Sequence, residues 1–352
     1  MKVAIVFFNL GGPDKLAAVR PFLRNLFNDP AIIGAPAPIR WLLAHWLSYR
    51  RAPIAQGIYQ HLGGKSPLLD LTEKQAWALQ QQFSGADEIK TFISMRYWHP
   101  MSDETARAVK NFAPDRIILL PLYPQFSTTT TGSSLADWKR AAKQAGLDAP
   151  SAAVCCYPDE PGFINAVTRL LEGEINQAEK TGKPRILFSA HGLPKKIVDA
   201  GDPYPRHVER TAAAVVARLA QANLDWIVCY QSRVGPLQWI GPSTEDEIAR
   251  AAKDGVPVVV VPIAFVSEHS ETLVELDIEY RELAEGLGVS GYHRVATVST
   301  EADFIGGLKN MVDQALASIK AGDKDERVTI SCSTGAGACS AEVACCPLKI
   351  RK

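Results

Sequence analysis

The chain has 352 residues, of which 47% are hydrophobic and 22% are charged, and its 38 acidic residues balance its 38 lysines and arginines. This composition is typical of a globular protein with about two domains. The zero net charge gives no support for a nucleic-acid partner, and no apolar run reaches the ~18 residues that a membrane span requires. The first residues, MKVAIVFFNLGGPD, are typical of a buried strand rather than a signal peptide, so we expect a cytoplasmic protein.

Runs rich in β-branched residues alternate with amphipathic segments through most of the chain. The predicted strands are Val3–Asn9, Lys90–Arg96, Arg116–Tyr123, Ala152–Tyr157, Arg185–Ala190, Trp226–Gln231, Pro257–Phe265 and His293–Ser299. The predicted helices include Asp103–Phe112, Gly162–Lys180, His207–Ala222 and Glu301–Lys320. This alternation predicts parallel sheets with right-handed crossovers, and therefore a doubly wound α/β fold. Eight strands over this length predict two similar lobes, residues 1–150 and 151–325, followed by a Cys-rich extension over residues 326–352.

Two glycine-containing segments imitate nucleotide-binding loops. The first strand is followed by the tight turn NLGGP, but Pro13 and the missing G-x-G-x-x-G spacing argue against a dinucleotide site. Gly64–Ser66 imitates the end of a phosphate loop, but Tyr59 occupies the position of that loop's first glycine and no strand precedes it. We reject both nucleotide sites.

Aromatic and basic side chains are concentrated between residues 39 and 68. Five residues in this segment have helical spacing: Trp41, Leu42, His45, Trp46 and Tyr49. A helix that faces the core explains this spacing at least as well as a ligand-binding wall does. The alternative is an exposed lip that admits a large flat apolar molecule or touches a membrane surface. Arg50 and Arg51 could then meet carboxylates on that molecule.

The segment 257–280, PVVVVPIAFVSEHSETLVELDIEY, is the strongest candidate for chemistry. Val258–Phe265 is predicted to be a strand buried on both faces, and a helix follows with Ser267 or Ser270 as its cap. In that helix three glutamates recur every fourth residue and are predicted to form one ridge: Glu271, Glu275 and Glu279. The residues predicted to face the core are Leu273, Leu276 and Tyr280.

Spacing alone favours a solvated acidic face for this ridge, but its surroundings favour a site. The ridge begins where a parallel strand ends, which is where open α/β sheets place ligands. His269 precedes the ridge, and His191 follows another buried strand in RILFSAHGLP. Imidazole and carboxylate groups together suit Fe²⁺, Mn²⁺ or Zn²⁺, and they also suit proton abstraction.

The chain contains seven cysteines, and four of them fall within the last 21 residues. They are Cys155, Cys156, Cys229, Cys332, Cys339, Cys345 and Cys346. In a reducing compartment such clustering argues for metal binding before disulfides. The tail spacing is not the C-x₂₋₄-C of common zinc sites, and its Gly/Ser/Ala-rich sequence cannot build a core alone. A disordered tail with free thiols is the alternative.

Nine short segments between residues 9 and 280 together resemble ferrochelatases, which insert Fe²⁺ into protoporphyrin IX to complete haem biosynthesis. The segments are NLGGPD, YRRAP, YQHLGGKSPL, MRYWHP, LPLYPQFS with TGSS, FSAHGLP, GDPY, QSRVGP with a following tryptophan, and FVSEHSETLVELDIEY. The resemblance implies two Rossmann-like lobes with a porphyrin cleft between them. The alternatives are a chelatase for coproporphyrin or a cobalt-accepting tetrapyrrole, and a tetrapyrrole carrier without catalysis.

The resemblance also implies which residues act. His191 is similar in position to the family's active-site histidine, and Glu271 to its carboxylate partner across the cleft; both are expected to contact the iron. The residues that match further positions of the catalytic motif are His269, Glu275 and Glu279. The residues that match positions lining the macrocycle or meeting its propionates are Leu10, Arg51, Tyr59 and Ser66. The sequence does not decide whether His191 or Glu271 is the proton acceptor.

Some members of the family carry a [2Fe–2S] cluster held by three tail cysteines and one from the body. Animal members have the body cysteine after the YPQ segment, where this chain has Thr128, so the resemblance favours a bacterial arrangement with Cys156 or Cys155 as the body ligand. The implied ligand set is Cys156, Cys332, Cys339 and either Cys345 or Cys346. The resemblance leaves the oligomeric state open, with a peripheral contact to the inner membrane face as an alternative.

Overall fold

The computed structural model describes residues 1–319, except 86, 220, 222, 234 and 236, and the backbone of residues 328–331. The described residues form two parallel sheets, one of five strands and one of four, with helices between successive strands. The chain divides into two compact units: Met1–Cys156 with the described residues from Leu308 onward, and Tyr157–Gly307. The predicted α/β fold with parallel sheets is confirmed.

The described residues contain nine strands and eleven α-helices. The strands are β1 (Lys2–Asn9), β2 (Glu88–Met95), β3 (Arg116–Pro121), β4 (Ser151–Val154), β5 (Arg185–His191), β6 (Asp225–Gln231), β7 (Val258–Pro262), β8 (Tyr292–Arg294) and β9 (Val328–Ser331). The helices are α1 (Val19–Phe27), α2 (Ala37–His61), α3 (Leu68–Gln80), α4 (Ser102–Phe112), α5 (Ser133–Ala145), α6 (Pro161–Ala178), α7 (Lys195–Asp199), α8 (Tyr204–Leu219), α9 (Thr244–Asp254), α10 (Tyr280–Gly286) and α11 (Ala302–Ser318). The chain also forms a 3₁₀ turn at Leu16–Ala18 and two π-helical segments, Thr128–Gly132 and Glu271–Glu279.

The sheet of the first unit has the order β2-β1-β3-β4-β9, with every neighbouring pair parallel. Its central strand β1 is buried from Val3 to Phe8, as its continuous apolar sequence predicts for a strand covered on both faces. On one face, Phe8 packs edge-on against Trp138 of α5, with ring centroids 5.8 Å apart. Because β1 ends at Asn9, the turn NLGGP begins at the carboxyl edge of this sheet.

The edge strand β9 is absent from the sequence prediction, which treated the tail as unable to build a core alone. Its backbone pairs in parallel with β4, from Ser151 opposite Val328 to Val154 opposite Ser331. Four residues are too short for a reliable hydrophobic pattern, although Val, Thr and Ile favour strands. The pairing places the carboxyl ends of β4 and β9, Val154 and Ser331, at the same edge of the sheet.

The sheet of the second unit has the order β6-β5-β7-β8, again with parallel neighbours. His191 at the end of β5 lies opposite Gln231 at the end of β6. Ser189 of β5 lies opposite Pro262, the last residue of β7. Because the carboxyl ends of these three strands coincide, the loops that follow them start at one edge of the sheet.

Four predicted strands are shorter in the structure. β3 ends at Pro121 rather than Tyr123, β4 at Val154 rather than Tyr157, β7 at Pro262 rather than Phe265, and β8 at Arg294 rather than Ser299. Cys155, Cys156 and Tyr157 are still buried, so the apolar pattern followed burial beyond the point where strand pairing stops.

Helix α11 begins in the second unit, and from Leu308 it belongs to the first. The sequence analysis had assigned this stretch to the second lobe. Within the first unit, the Arg116 guanidinium donates to the Leu316 carbonyl at 3.2 Å, and Lys309 Nζ lies 5.3 Å from the centroid of the Phe83 ring. These contacts join residues far apart in the chain, which sequence periodicity does not report.

Two glycines of α6 provide a test of this packing. A Cβ on Gly162 would lie 2.2 Å from the Asp303 carbonyl oxygen, whereas a Cβ on Gly173 would meet no atom within 4 Å. We expect Gly162→Ala to lower the free energy of unfolding by about 1–3 kcal/mol through overpacking. Gly173→Ala should raise it by roughly 0.5–1 kcal/mol because alanine favours the helix. Denaturant titrations measure both, and equal effects would contradict the close approach.

Candidate active site

His191 is presented at the carboxyl edge of the second sheet by a turn that requires glycine. The Gly192 N–H donates to the Gln231 carbonyl at 2.8 Å, and a Cβ on Gly192 would lie 2.9 Å from that same oxygen. The His191 side chain is 41% exposed, and its Nδ1 lies 2.5 Å from the Gly192 carbonyl. Since a carbonyl only accepts hydrogen bonds, Nδ1 carries a proton, and in the neutral imidazole Nε2 then has the lone pair.

The Glu271 carboxylate lies between two imidazoles. Its Oε1 is 3.9 Å from His191 Nε2, and its Oε2 is 3.6 Å from His269 Nε2. His269 is largely buried, and its Nδ1 faces the Ser267 carbonyl at 3.1 Å while its ring packs against Phe265. The structure thus brings together three of the predicted catalytic residues.

The charges in this group depend on one another. Burial alone would raise the pKa of Glu271, but the charge of His191 and the hydrogen bond and charge of His269 lower it to about 2. Burial alone would lower the pKa of His269, but its hydrogen bond and attraction to Glu271 raise it above the usual value. Glu271 is therefore a carboxylate, and it favours a protonated His269.

The helix that carries Glu271 is wound differently from the prediction. Residues Glu271–Glu279 form a π-helix, in which the Tyr280 N–H donates to the carbonyl of Glu275 five residues earlier. Ser270, one of the two predicted caps, makes no side-chain capping bond, and the Thr272 hydroxyl accepts from the His269 N–H at 3.0 Å. Single π-helical segments are frequent at functional sites.

This winding breaks the predicted ridge of three glutamates. Glu271 and Glu275 are half-buried, whereas Glu279 is exposed. Of the residues predicted to face the core, Leu276 and Tyr280 are buried, but Leu273 is only half-buried. The prediction assumed the α-helical period of 3.6 residues, and a wider turn changes which side chains share a face.

Glu275 accepts hydrogen bonds from three residues that the sequence analysis did not assign to the site. The Ser232 N–H donates at 2.8 Å and its hydroxyl donates as well, the Gln231 amide donates at 3.0 Å, and the Tyr280 hydroxyl donates at 3.1 Å. Burial and then the charge of Glu271 raise the pKa of Glu275, while the Ser232 and Gln231 bonds act in the opposite direction. The sequence signal that could have identified Gln231 and Ser232 is their position at the end of a predicted strand.

Gln231, at the end of β6, also links β5 with the π-helix. Its side-chain carbonyl accepts from the Ser189 hydroxyl at 2.8 Å, and its amide donates to the Glu271 backbone carbonyl at 3.0 Å. Ser232, which follows it, has a φ of 60°, a left-handed conformation that is costly for a side chain and that directs its N–H toward Glu275. This local strain is maintained by the bonds that orient the carboxylate.

A buried arginine holds the segment that carries His269 and Glu271. The Arg294 guanidinium donates to the Glu268 carboxylate at 2.7 Å and to the Asp277 carboxylate at 2.8 Å. Glu268 also accepts from the Thr297 N–H at 2.9 Å. These bonds fix the segment at Asp277 within the π-helix and at Glu268, three residues before the π-helix begins. The sequence analysis did not identify Arg294, because nothing local to it indicates these partners.

Three of the four predicted macrocycle-binding residues lie together in the first unit. Leu10 and Tyr59 belong to one hydrophobic cluster, and the Ser66 N–H donates to the Pro13 carbonyl at 2.8 Å. A Cβ on Gly12 would lie 2.4 Å from the Ser66 hydroxyl, so the turn passes closely over this serine. Arg51 is half-buried on α2, eight residues before Tyr59.

Helix α2 exposes a large apolar surface, which we call the α2 lip. Its exposed members are Ile39, Trp41, Leu42, Trp46, Tyr49 and Ile54, with between 52% and 67% of each residue accessible. The interpretation of this segment as a core-facing helix is therefore wrong for these residues. Arg50 lies 5.8 Å from the Trp46 ring centroid, which adds a cation to the lip.

Of the cysteines predicted to hold a cluster, the structure describes only Cys156 and its alternative, Cys155. Cys156 is buried beside Cys155 and Phe126, directly after β4. Cys332, Cys339, Cys345 and Cys346 lie outside the described residues. In the part of the chain that is described, no group of three or more His, Cys, Asp or Glu side chains is arranged to hold a metal ion.

Comparison with known proteins gives a consistent result. Residues 2–316 match the family model described as Ferrochelatase. The ferrochelatase of Caulobacter vibrioides (strain NA1000 / CB15N) is 53% identical over 351 residues, covering 99% of this chain and 98% of that protein. The ferrochelatase of Phenylobacterium zucineum is 55% identical over 311 residues, covering 88% and 90%.

Among solved structures, SirB from Bacillus subtilis with Fe³⁺ is similar to 91% of this chain and 99% of its own, with a TM-score of 0.54. At 12% sequence identity this similarity concerns the fold alone. The match over residues 2–316 and the identity of 53% over nearly the whole chain establish that the chain belongs to the ferrochelatase family.

Proposed function

We propose that this protein inserts Fe²⁺ into protoporphyrin IX, the last step of haem biosynthesis, with His191 and Glu271 at the reacting centre. Membership of the ferrochelatase family supports the reaction. The observation that carries the residue assignment is the imidazole facing a carboxylate at 3.9 Å. This separation is too long for a direct hydrogen bond. A first-row divalent ion with bonds of ~2.1 Å spans ligand atoms up to ~4.2 Å apart, so the gap suits one shared cation.

Metal insertion removes two pyrrole protons and replaces the water around Fe²⁺. His191 Nε2 has a lone pair and is exposed, so it accepts a pyrrole proton or binds the iron. Glu271, with a pKa of about 2, keeps its negative charge throughout the neutral range. That charge offsets the charge of the incoming metal and stabilises the imidazolium formed at His191. His269 pairs with the Glu271 carboxylate, and the Gln231 amide holds the Glu271 backbone carbonyl.

We infer that the turn around Leu10, Tyr59 and Ser66 contacts the macrocycle, with Arg51 toward a propionate. The shared cluster of Leu10 and Tyr59 supports an apolar contact, and a half-buried guanidinium suits a carboxylate. Anaerobic incubation of the purified protein with Fe²⁺ and protoporphyrin IX tests the function directly through the haem absorption spectrum. Parallel reactions with coproporphyrin and with Co²⁺ separate the related chelatases.

His191→Ala should abolish haem formation because both the proton acceptor and an iron ligand are lost, while the melting temperature stays close to that of the wild type. Initial rates of haem formation and a thermal melt measure these quantities. His99→Ala is the matched control, since the His99 imidazole is 56% exposed and pairs with Glu104 outside the site. Near-normal turnover of His191→Ala would exclude the assignment.

Glu271→Gln should lower the pKa of His269 relative to the wild type, because the charge of Glu271 no longer opposes the effect of burial, whereas the Ser267 carbonyl and the charge of Glu268 still do. In the wild type, His269 stabilises the fold below pH 6.5 and loses that contribution as the pH rises through its raised pKa. Glu271 contributes above its usual 4.5 and loses that contribution as the pH falls toward about 2. The variant should therefore be least stable relative to the wild type between pH 4.5 and 6.5.

Histidine NMR titrations and denaturant unfolding across pH measure both effects. His293, whose Nδ1 lies 3.5 Å from Glu174, is the internal control and should titrate identically in the two proteins. An unchanged His269 titration in Glu271→Gln would show that the two side chains do not interact.

We propose that the protein works in the cytoplasm and that the α2 lip touches the inner membrane face. None of the described helices is both long and apolar enough to cross a bilayer. The exposed tryptophans of the lip suit the interfacial region, and Arg50 and Arg51 suit anionic headgroups. A lip next to the macrocycle-contacting turn would also receive an apolar substrate from the membrane.

Trp46→Ser should weaken sedimentation with anionic phospholipid vesicles by several-fold, because an interfacial aromatic side chain is lost. Trp77→Ser is the matched control, since Trp77 on α3 is 66% exposed and lies outside the lip. Equal loss in both variants, or no loss in either, would argue against this surface.

We propose a [2Fe–2S] cluster held by Cys156, Cys332, Cys339 and one of Cys345 and Cys346. The pairing of β4 with β9 supports it, because Val154 lies opposite Ser331 and Cys332 is the next residue in the sequence. Thiolate groups are the usual ligands of such clusters. The cluster would supply thiolate-bound iron that ties the extension to the body, and the metal-insertion steps above do not involve it.

Protein purified without oxygen should contain two irons and two sulfides per chain and absorb visible light. Cys156→Ser should lose both, because one ligand is removed. Cys229→Ser is the control, since Cys229 is buried within β6, burial raises its pKa to about 12, and its sulfur accepts from the Thr244 hydroxyl. Cys155→Ser distinguishes the neighbouring cysteine. A colourless, iron-free wild-type protein would exclude the cluster.

A further inference from the structure

Arg294, the last residue of β8, contacts the segment that carries the catalytic side chains on both sides of the site. Its Nη1 donates to Glu268 Oε1 at 2.7 Å, and its Nε donates to Asp277 Oδ1 at 2.8 Å. Its Nη2 donates to the second carboxylate oxygen of Asp277. Glu268 directly precedes His269, and Asp277 follows Glu271 within the same π-helix. The two carboxylates that Arg294 bonds therefore lie on either side of both catalytic residues along the chain.

Backbone pairing places Arg294 beside this segment. β8 lies next to β7, with Arg294 opposite Val260. Beyond the strand, the Val295 N–H donates to the Val260 carbonyl at 2.9 Å. Farther along, the Ser299 N–H donates to the Val266 carbonyl at 3.0 Å. The Arg294 side chain is only 10% exposed, so its guanidinium extends from a fixed backbone into a buried position between the two carboxylates.

The π-helix needs support from outside its own backbone. Such helices are rare and normally extend for a single turn, whereas Glu271–Glu279 continues for nine residues, and Ser270 provides no capping bond at its start. A guanidinium holds its donors in a rigid planar fork, so its three bonds to two carboxylates fix direction as well as distance. Arg294 is therefore suited to hold the π-helix in one orientation.

We propose that Arg294 is a positioning residue that holds Glu271 and His269 in the geometry that metal insertion requires. This role rests on the proposed metal-insertion function and adds a residue that acts through its neighbours. Glu271 Oε1 lies 3.9 Å from His191 Nε2, and Glu271 Oε2 lies 3.6 Å from His269 Nε2. A displacement of about 1 Å in a reacting centre can cost ~100-fold in rate. Loss of Arg294 should therefore slow the chemical step without weakening porphyrin binding.

Arg294→Met tests the role, because methionine keeps an unbranched apolar stem and removes every donor. We expect kcat for haem formation to fall roughly tenfold to a hundredfold, the usual loss when a partner of a metal-contacting residue is removed. KM for Fe²⁺ should rise, and KM for protoporphyrin IX should stay unchanged. Arg294→Lys should show an intermediate loss, because lysine keeps the charge but not the fork. Arg294→Met combined with Asp277→Asn should be no slower than Arg294→Met alone, because the two changes break one contact.

Arg185→Met is the matched control. The Arg185 side chain is also 10% exposed, and it also lies between two carboxylates, with its Nε 2.9 Å from Asp225 Oδ2 and its Nη1 2.9 Å from Asp254 Oδ2. Arg185 begins β5, whereas His191 ends that strand. The control therefore breaks a buried ion pair in the same unit at the opposite end of a strand from the site. We expect both variants to lower the melting temperature and only Arg294→Met to lower kcat.

Equal kcat values for Arg294→Met and Arg185→Met, measured below both melting temperatures, would overturn the proposal. An unchanged kcat with a raised KM for protoporphyrin IX would also contradict it. If Arg294→Met does not fold, Arg294→Lys is compared with Arg185→Lys, and equal kcat values again overturn the role. A wild-type protein that forms no haem would contradict the proposed function, an outcome distinct from an active wild type whose two methionine variants are equally active.

Discussion

A carboxylate held between two imidazoles is the interaction on which the site depends. Burial raises the pKa of Glu271, but His191 and His269 lower it to about 2. The contact with Glu271 reverses the effect of burial on His269. The charges of Glu271 and His269 therefore support each other. In the proposed function, the incoming cation meets a negative charge that is already in place.

The backbone supplies this geometry through two devices. A turn that only glycine permits places His191 at the edge of the sheet, and a π-helix places Glu271 and Glu275 opposite the ends of β5 and β6. Arg294 then fastens the π-helix through Glu268 and Asp277. The strained backbone at Ser232 and the π-helix Glu271–Glu279 both lie at the site, beside the regular strands β5 and β6.

Much of the fold follows from local pattern. The apolar runs of β1, β3 and β5 and the amphipathic runs of α4, α6 and α8 predict alternating elements, and alternation predicts parallel sheets. The incorrect predictions have identifiable causes. Burial extended the predicted β4 into Cys155 and Cys156, four residues of β9 were too few to register, and the aromatic residues of α2 have the same spacing whether they face a core or solvent.

The sequence by itself determined the kinds of groups at the site, since a histidine after one buried strand and glutamates after another indicate proton transfer and metal contact. It also determined the family, through nine short segments in order. Only the tertiary structure decided that Glu271 has two imidazole neighbours, that Glu279 leaves the group, and that Ser232, Gln231 and Tyr280 join it. The physical reason is that these contacts join residues distant in the chain and depend on a helical period other than 3.6, neither of which a local pattern encodes.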